Sequence, residues 1–288
     1  MYSASVDYYR AGSVAEAVSL LQQHDGAKLL AGGHSLIPLM KLRLAEPSAL
    51  IDIGHVSGMK GIEQSNGVLK IGALTPHADI ASSDAVQQAS PMLAEAAAMI
   101  GDPQVRNRGT IGGNVAHADP ASDLPTVLTA LGATFGVTGP IGERSIPAAG
   151  FFQGLMSTAL AANEVLTSVE IPASASGQGS AYSKFSHPAS RYAVIGAAAI
   201  VTVSGGKCTA ASVVLGGLVS SPTRAALVEA ALTGNALDED TIATAAANAS
   251  DDLGDDVIGD IFASAEYRRS VATVYVGRAI TAAAVRAG

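Results

Sequence analysis

Two glycine pairs are the parts of this sequence best suited to chemistry. Ala31-Gly32-Gly33-His34-Ser35 and Thr110-Ile111-Gly112-Gly113-Asn114 each set adjacent glycines among small or polar side chains. Without Cβ atoms, such a pair lets the backbone approach a ligand closely and reach φ > 0 without steric cost. Consecutive N–H groups in a turn of that kind form a concave anion site. Two of them, far apart in sequence, could clasp the two phosphates of one dinucleotide. The competing reading is that both pairs only punctuate tight turns, and the pairs alone leave it open. Neither pair belongs to a G-x-G-x-x-G or a G-x-x-x-x-G-K-[ST] signature. Gly33-His34-Ser35-Leu36 opens like a hydrolase nucleophile elbow, but Ile37 stands where that motif needs glycine.

Other polar residues give weaker signals. His117 and Asp119, with Asp123 beyond, could suggest a metal site, but such sites need three or four convergent ligands and this spacing is not diagnostic. Asp123 could accept a ribose or ribityl hydroxyl, or serve simply as a first-turn acid of the helix that Leu124-Pro125 begins. Lys184 and Tyr192 flank His187-Pro188-Ala189-Ser190. They could face a shared cleft, or be a solvated strand charge and a half-buried aromatic.

These residues need a scaffold, and composition bounds it. The 288 residues allow one large domain or two ordinary ones, and 48% hydrophobic content supplies a core. A net charge of −8 without a Lys/Arg cluster argues against nucleic-acid partners. The single cysteine, Cys208, excludes an internal disulfide and a cysteine-ligated zinc or iron–sulfur site within this chain. Met1 to Arg10 lacks the features of a signal peptide, and the longest apolar run, Ala193 to Val203, is too short to span a bilayer. A soluble cytoplasmic protein with a small-residue core is the expectation.

Ser13-Val14-Ala15-Glu16 fits a capping box ahead of Val14, Ala17, Val18 and Leu21 at helical spacing. Lys28 to Ala31 reads as a strand delivering Gly32-Gly33 to its end, Leu36 to Arg43 as a helix, and Ala49 to Ile53 as a strand. Asn66-Gly67 signals a hairpin. Ser90 and Pro91 start a helix over 91–100, and an apolar helix runs to about Leu131. Val165 to Ile171 is a strand ended by Pro172. Ala173 to Gly179 is the best boundary. Strands follow near 180–186, 193–203 and 209–215, with Ser204 to Lys207 as a turn, and three helices follow from about Pro222. The order is α/β to about residue 175, then an antiparallel layer with helices on one side.

Taken together, these residues resemble a known family. Ala31 to Pro38, with Met40-Lys41 and Arg43-Leu44-Ala45, is similar to the FAD-binding medium subunit of aerobic carbon monoxide dehydrogenases. So are Asp102 to Arg106, Gly109 to Asn114, Asp119-Pro120 with Asp123 and Pro125, Gly154, Glu164 to Leu166, Tyr182, Lys184, Tyr192-Ala193 and Ala265 to Arg268. The resemblance covers nearly the whole chain and points to the flavoprotein component of the molybdenum hydroxylase (xanthine oxidase-like) family.

The resemblance implies an α+β fold: a two-lobed PCMH/VAO-type FAD-binding domain over residues 1–176, then a CO dehydrogenase flavoprotein C-terminal domain over 177–288. It implies noncovalent FAD, with Leu29, Leu30, Ala31, Gly32, Gly33, His34, Ser35 and Leu36 cradling the pyrophosphate. Thr110, Ile111, Gly112, Gly113 and Asn114 would complete the clasp. By the same carry-over, Asp123 takes a cofactor hydroxyl, Ile100 and Leu166 pack against adenine or flavin, Lys184 sits by the flavin's polar edge, and Tyr192 lies near the isoalloxazine face. No catalytic residue and no metal ligand is implied in this chain. The implied partners are a large molybdenum-cofactor subunit and a small subunit with two [2Fe–2S] clusters, in a dimer of heterotrimers, passing electrons to a quinone or other acceptor. Ala121-Ser122 replaces the Gly-Asn of the best-known carbon monoxide enzymes. This leaves heterocycle- or aldehyde-oxidising relatives as alternatives, beside a free-standing flavin oxidoreductase and a cofactor-free scaffold.

Overall fold

A computed structural model describes residues 2–288. The chain opens with β1 (Asp7–Arg10), α1 (Val14–Gln23), β2 (Lys28–Leu30), α2 (Leu36–Lys41) and β3 (Ala49–Asp52). The three strands form a parallel sheet in the order β1-β3-β2. The capping box at Ser13 forms in a shifted version. The Ser13 hydroxyl accepts from the Glu16 N–H at 3.1 Å, but the Glu16 carboxylate reaches back to the N–H of Gly12 rather than of Ser13.

The second lobe begins with β4 (Ile62–Ser65) and β5 (Val68–Gly72). They form the hairpin that Asn66-Gly67 signals, with φ of 51° and 75° at the two turn residues, as a twist-matched two-residue turn requires. Six helices follow: α3 (His77–Ser82), α4 (Asp84–Ala89), α5 (Pro91–Met99), α6 (Pro103–Arg108), α7 (Ile111–His117) and α8 (Asp123–Ala130). Ser90 takes the cap position of α5, but its hydroxyl makes no capping bond. The chain then returns as β6 (Thr134–Gly139), β7 (Gly142–Pro147), the small hairpin β8 (Phe152–Gly154) and β9 (Ser157–Thr158), and β10 (Val165–Pro172). Insertion of β10 between β5 and β6 gives an antiparallel sheet in the order β4-β5-β10-β6-β7. Phe135 and Phe151, both fully buried and 4.4 Å apart between ring centroids, pack in its core.

The remainder contains β11 (Gln178–Ser186), β12 (Ala193–Ser204), β13 (Lys207–Gly216) and β14 (Thr223–Arg224), in that spatial order. Then come α9 (Ala226–Leu232), α10 (Glu239–Ala247), α11 (Ala249–Asp252) and α12 (Ala265–Ala287). The expectation of three helices after Pro222 is corrected to four plus a short strand. Asn248 ends α10 and begins the single turn of α11.

The alternation of β12 explains its unbroken apolar run. Ala198 and Ile200 join Tyr182 and Val214 in the core shared with the second lobe, while Ala197, Ala199 and Val201 face the core built on α9, α10 and α12. A strand buried on both faces has no polar alternation to show.

Candidate functional site

β2 ends at Leu30 and delivers Ala31 to Ser35 as a loop that enters α2. Gly33 has φ of 75°, a backbone region that L side chains rarely adopt. Its carbonyl accepts from the Ile37 N–H at 3.1 Å, which starts the helix. Among the described residues, the N–H groups of Gly32, Gly33, His34 and Ser35 donate to no protein acceptor. The Ser35 hydroxyl makes no capping bond. A run of unengaged donors on a loop with one left-handed residue has the geometry suited to hold an anion.

The second glycine pair is built differently, which corrects the expectation of a turn with exposed N–H groups. Thr110 is the N-cap of α7, and Gly112 and Gly113 lie in the first turn of that helix. Its four leading N–H groups are all engaged: Ile111 with the Thr75 carbonyl, Gly112 with that of Ala73, Gly113 with the Thr110 hydroxyl and Asn114 with the Thr110 carbonyl. Gly112 is required by packing, since a Cβ there would meet the Ala73 carbonyl oxygen at 2.8 Å. Gly113 is exposed and offers a surface without a side chain.

The two segments are neighbours in space. A Cβ on Gly32 would overlap the Arg108 carbonyl and lie 3.0 Å from Gly109 Cα, and one on Gly113 would lie 3.9 Å from Ala31 Cβ. The first segment therefore supplies free donors, and the second supplies a close, side-chain-free wall. Asn114 extends the wall. Its Nδ2 donates to Ser122 Oγ at 2.8 Å, while its buried Oδ1 has no partner among the described residues. That bond gives Ser122, one of the two residues departing from the Gly-Asn pattern, a positioning role beside Asp123.

Asp123 begins α8, yet it is no solvated first-turn acid. Its carboxylate accepts from Tyr182 Oη at 2.7 Å and from Lys184 Nζ at 2.8 Å. The Lys184 and Asp123 side chains are only 1% and 5% exposed. Lys184 Nζ also reaches the Met99 carbonyl at 3.4 Å, which brings the α5 terminus and Ile100 to the same cluster. Burial pushes the Asp123 carboxyl above its ordinary range, against the opposing pull of the Lys184 ammonium and of the bonds from Lys184 and Tyr182. Burial, reinforced by Asp123, pushes the Tyr182 hydroxyl up, so it stays a donor. Tyr182 was legible in principle: residues i and i+2 share a strand face, so Tyr182 and Lys184 can reach one partner, as both reach Asp123.

Tyr192 is 41% exposed at the entrance to β12, directly after Arg191, which has φ of 60°. Burial raises its phenol pKa, with further contributions from Asp119 and Asp123, so those acids share its surroundings. Leu166 is buried in the core of the five-stranded sheet, and no hydrogen bond ties it to this cluster. Leu29 and Leu30 are half-buried strand residues leading into the cradle, and Leu36 is the first residue of α2.

His77, at the start of α3, had no sequence signal. Its N–H donates to the Gly109 carbonyl at 3.0 Å, and its ring lies against Gly109, where a Cβ would come within 2.9 Å of Cδ2. Burial, with His34 nearby, drops its pKa from 6.5 to about 4. The folded protein thus holds His77 neutral where the unfolded chain already takes up a proton. Its contribution is complete above pH 6.5 and is lost as the pH falls toward about 4. A gap of this size is worth roughly 3 kcal/mol. Thermal unfolding midpoints are expected to fall across that window and to fall less in His77→Gln. An equal slope in the variant would remove His77 as the cause.

Comparison with known proteins follows the same outline. Residues 4–174 match the model for the FAD binding domain in molybdopterin dehydrogenase, and residues 180–283 that for the CO dehydrogenase flavoprotein C-terminal domain. The carbon monoxide dehydrogenase medium chain of Afipia carboxidovorans is 40% identical over 100% of this chain and 99% of its own. The 6-hydroxypseudooxynicotine dehydrogenase complex subunit alpha of Paenarthrobacter nicotinovorans is also 40% identical, over 100% and 97%. A solved carbon monoxide dehydrogenase from Hydrogenophaga pseudoflava, which lacks the Mo-pyranopterin moiety of the molybdenum cofactor, superimposes with a TM-score of 0.96 at 42% identity, covering 99% of each chain.

Proposed function

This chain belongs to the FAD-binding subunits of molybdopterin dehydrogenases, the family that includes the carbon monoxide dehydrogenase medium chains, and from that premise we propose that it is the electron-transfer flavoprotein of such an enzyme. Bound FAD supplies chemistry that exchanges electrons singly or in pairs, and the protein sets its position and surroundings. The chain receives electrons from [2Fe–2S] clusters of a small partner subunit after a large, molybdenum-cofactor subunit oxidises the substrate. It delivers them to a quinone or another acceptor. With only Cys208 available, the clusters must lie in another polypeptide. The assembly we propose is a dimer of heterotrimers in the cytoplasm. Among the described residues, no helix is long and apolar enough to cross a membrane.

The observation that carries this reading is the contact of Gly32 with Arg108 and Gly109, beside the unengaged N–H groups of Gly32 to Ser35. The residues fit the cofactor. In our reading the first segment donates to the diphosphate, while Gly113 and Asn114 close over it. Asp123 and Lys184 fix the polar end of the cofactor, Tyr192 faces the ring, and Ile100 and Leu166 line an apolar wall. We place the domain division at 176/177. The substrate is oxidised elsewhere in the complex, with carbon monoxide, an aldehyde or a nitrogen heterocycle as the candidates. Ala121 and Ser122 do not choose among them, because the bonds they make are to Asp119, Ala193 and Asn114 within this chain.

The test is the purified complex. About one FAD released per chain on denaturation is expected, together with anaerobic bleaching of the flavin by one substrate class and none in the separated chain. Stoichiometry well below one would overturn flavin binding. Substrate bleaching in the separated chain would favour a free-standing oxidoreductase.

A further inference from the structure

Arg268 sits in the first turn of α12, and its side chain is 5% exposed. A buried guanidinium is tolerated only when its donors are matched. Here Nε donates to the Ala263 carbonyl at 3.2 Å and Nη1 to the carbonyls of Gly217 at 3.0 Å and Val194 at 3.4 Å, while Nη2 meets the Asp260 carboxylate. Such a set uses the spread of the arginine fork, which a lysine ammonium does not reproduce.

The location of two of those acceptors gives Arg268 a further part. The ladder between β12 and β13 ends at the pair Gly196↔Gly216. Val194 and Gly217 lie just beyond this last rung, so the guanidinium holds together two strand ends that the ladder has released. The same ends also grip the other domain. The Ala193 N–H donates to the Ala121 carbonyl at 3.0 Å, and the Gly217 N–H to the Pro120 carbonyl at 2.9 Å. Gly217 has φ of 84°, and a Cβ there would lie 2.7 Å from the Ala193 carbonyl oxygen, so the two ends are in close contact. Pro120 and Ala121 immediately precede Ser122 and Asp123, and Ala193 immediately follows Tyr192. Arg268 itself bonds to none of the residues placed at the cofactor.

We infer that Arg268 is a positioning residue for the flavin site: from the C-terminal helix it fixes the strand ends that set Tyr192 on one side and the Pro120–Asp123 loop on the other. The inference rests on the flavin-binding reading above. It separates from a purely stabilising role because it demands an effect on the bound flavin at a distance, beyond what equal destabilisation elsewhere would produce.

The experiment uses the intact complex carrying Arg268→Met, Arg268→Lys or Leu232→Ala. Leu232 is a fully buried core residue of α9 that takes no part in the hydrogen bonds of Arg268 or of the strand ends it holds. FAD dissociation is followed by the recovery of free-flavin fluorescence, and the setting of the ring by visible circular dichroism. Arg268→Met is expected to weaken FAD retention by about tenfold, the scale on which positions remote from a ligand modulate its binding. It is also expected to change the visible dichroism, with Arg268→Lys intermediate. Leu232→Ala should leave both unchanged at a similar loss of thermal stability. If Arg268→Met does not assemble, Arg268→Lys alone carries the comparison. Wild-type retention and dichroism in the arginine variants, or the same losses in Leu232→Ala, would overturn the assignment. A wild-type complex without flavin would overturn the site reading and this inference with it, whereas a flavin-loaded wild type with silent Arg268 variants overturns only the latter.

Discussion

Gly32→Ala is expected to weaken FAD binding by roughly 10- to 100-fold, the equivalent of the ~1–3 kcal/mol that overpacking costs. The added methyl would overlap the Arg108 carbonyl, with Arg108 C at 2.7 Å and Gly109 Cα at 3.0 Å. Both neighbours are backbone, so no side chain can rotate aside, and the two glycine segments must part. Gly33→Val should act by a second route, since it strains a φ of 75° and crowds Ile37 Cγ1 at 3.1 Å. Gly12→Ala is the control, because its methyl meets only Glu16 Oε2, at 3.4 Å. Equilibrium dialysis of FAD against the flavin-stripped proteins measures the effect. A folded Gly32→Ala chain that binds FAD as tightly as the Gly12→Ala control would show that the junction of the two segments does not form the cradle.

The second large effect belongs to the ion pair. Lys184→Met leaves a buried carboxylate without its cation, and Asp123→Ala leaves a buried ammonium without its anion. Each is expected to cost about 3–5 kcal/mol, because an uncompensated buried charge is worse than none. The triple change Tyr182→Phe, Asp123→Leu, Lys184→Met removes every member of the network and should recover most of that loss. It should not recover FAD binding. Urea unfolding of the flavin-stripped variants gives the first quantity and dialysis the second. Single variants losing less than about 1 kcal/mol would mean that the pair behaves as a solvated one. A triple variant with wild-type affinity would take these side chains out of the cofactor site.

Local signals in the sequence were reliable where one segment contains the whole cause. Asn66-Gly67 encodes its hairpin through two positive φ values, and Ser13 caps its helix whatever packs around it. The second glycine pair misled because glycine is a poor helix former. Its presence in α7 answers to Ala73, on a segment 39 residues earlier in the chain, and no local pattern reports that. Asp123 illustrates the same limit at the site. Its position marks a first-turn acid, but its partners lie 59 and 61 residues downstream. The small parallel sheet was only half visible, since β1 carries a burial pattern with no fully buried residue. His77 carries no motif, and Arg268 lies in a segment that carries the resemblance without announcing a role; only the packing of Gly109 and the strand ends gives them a part.

The doubly buried strand β12 makes the carboxyl-terminal third inseparable from what precedes it. Its Ala198 and Ile200 complete one core, while Ala197, Ala199 and Val201 complete the other. A cut at the linker would therefore strip a hydrophobic lining from the amino-terminal piece and leave the other piece with a sticky, unshielded sheet. Chimeras between relatives of this protein should accordingly exchange the entire polypeptide, since the modular boundary suggested by composition is a party wall that neither tenant can remove alone.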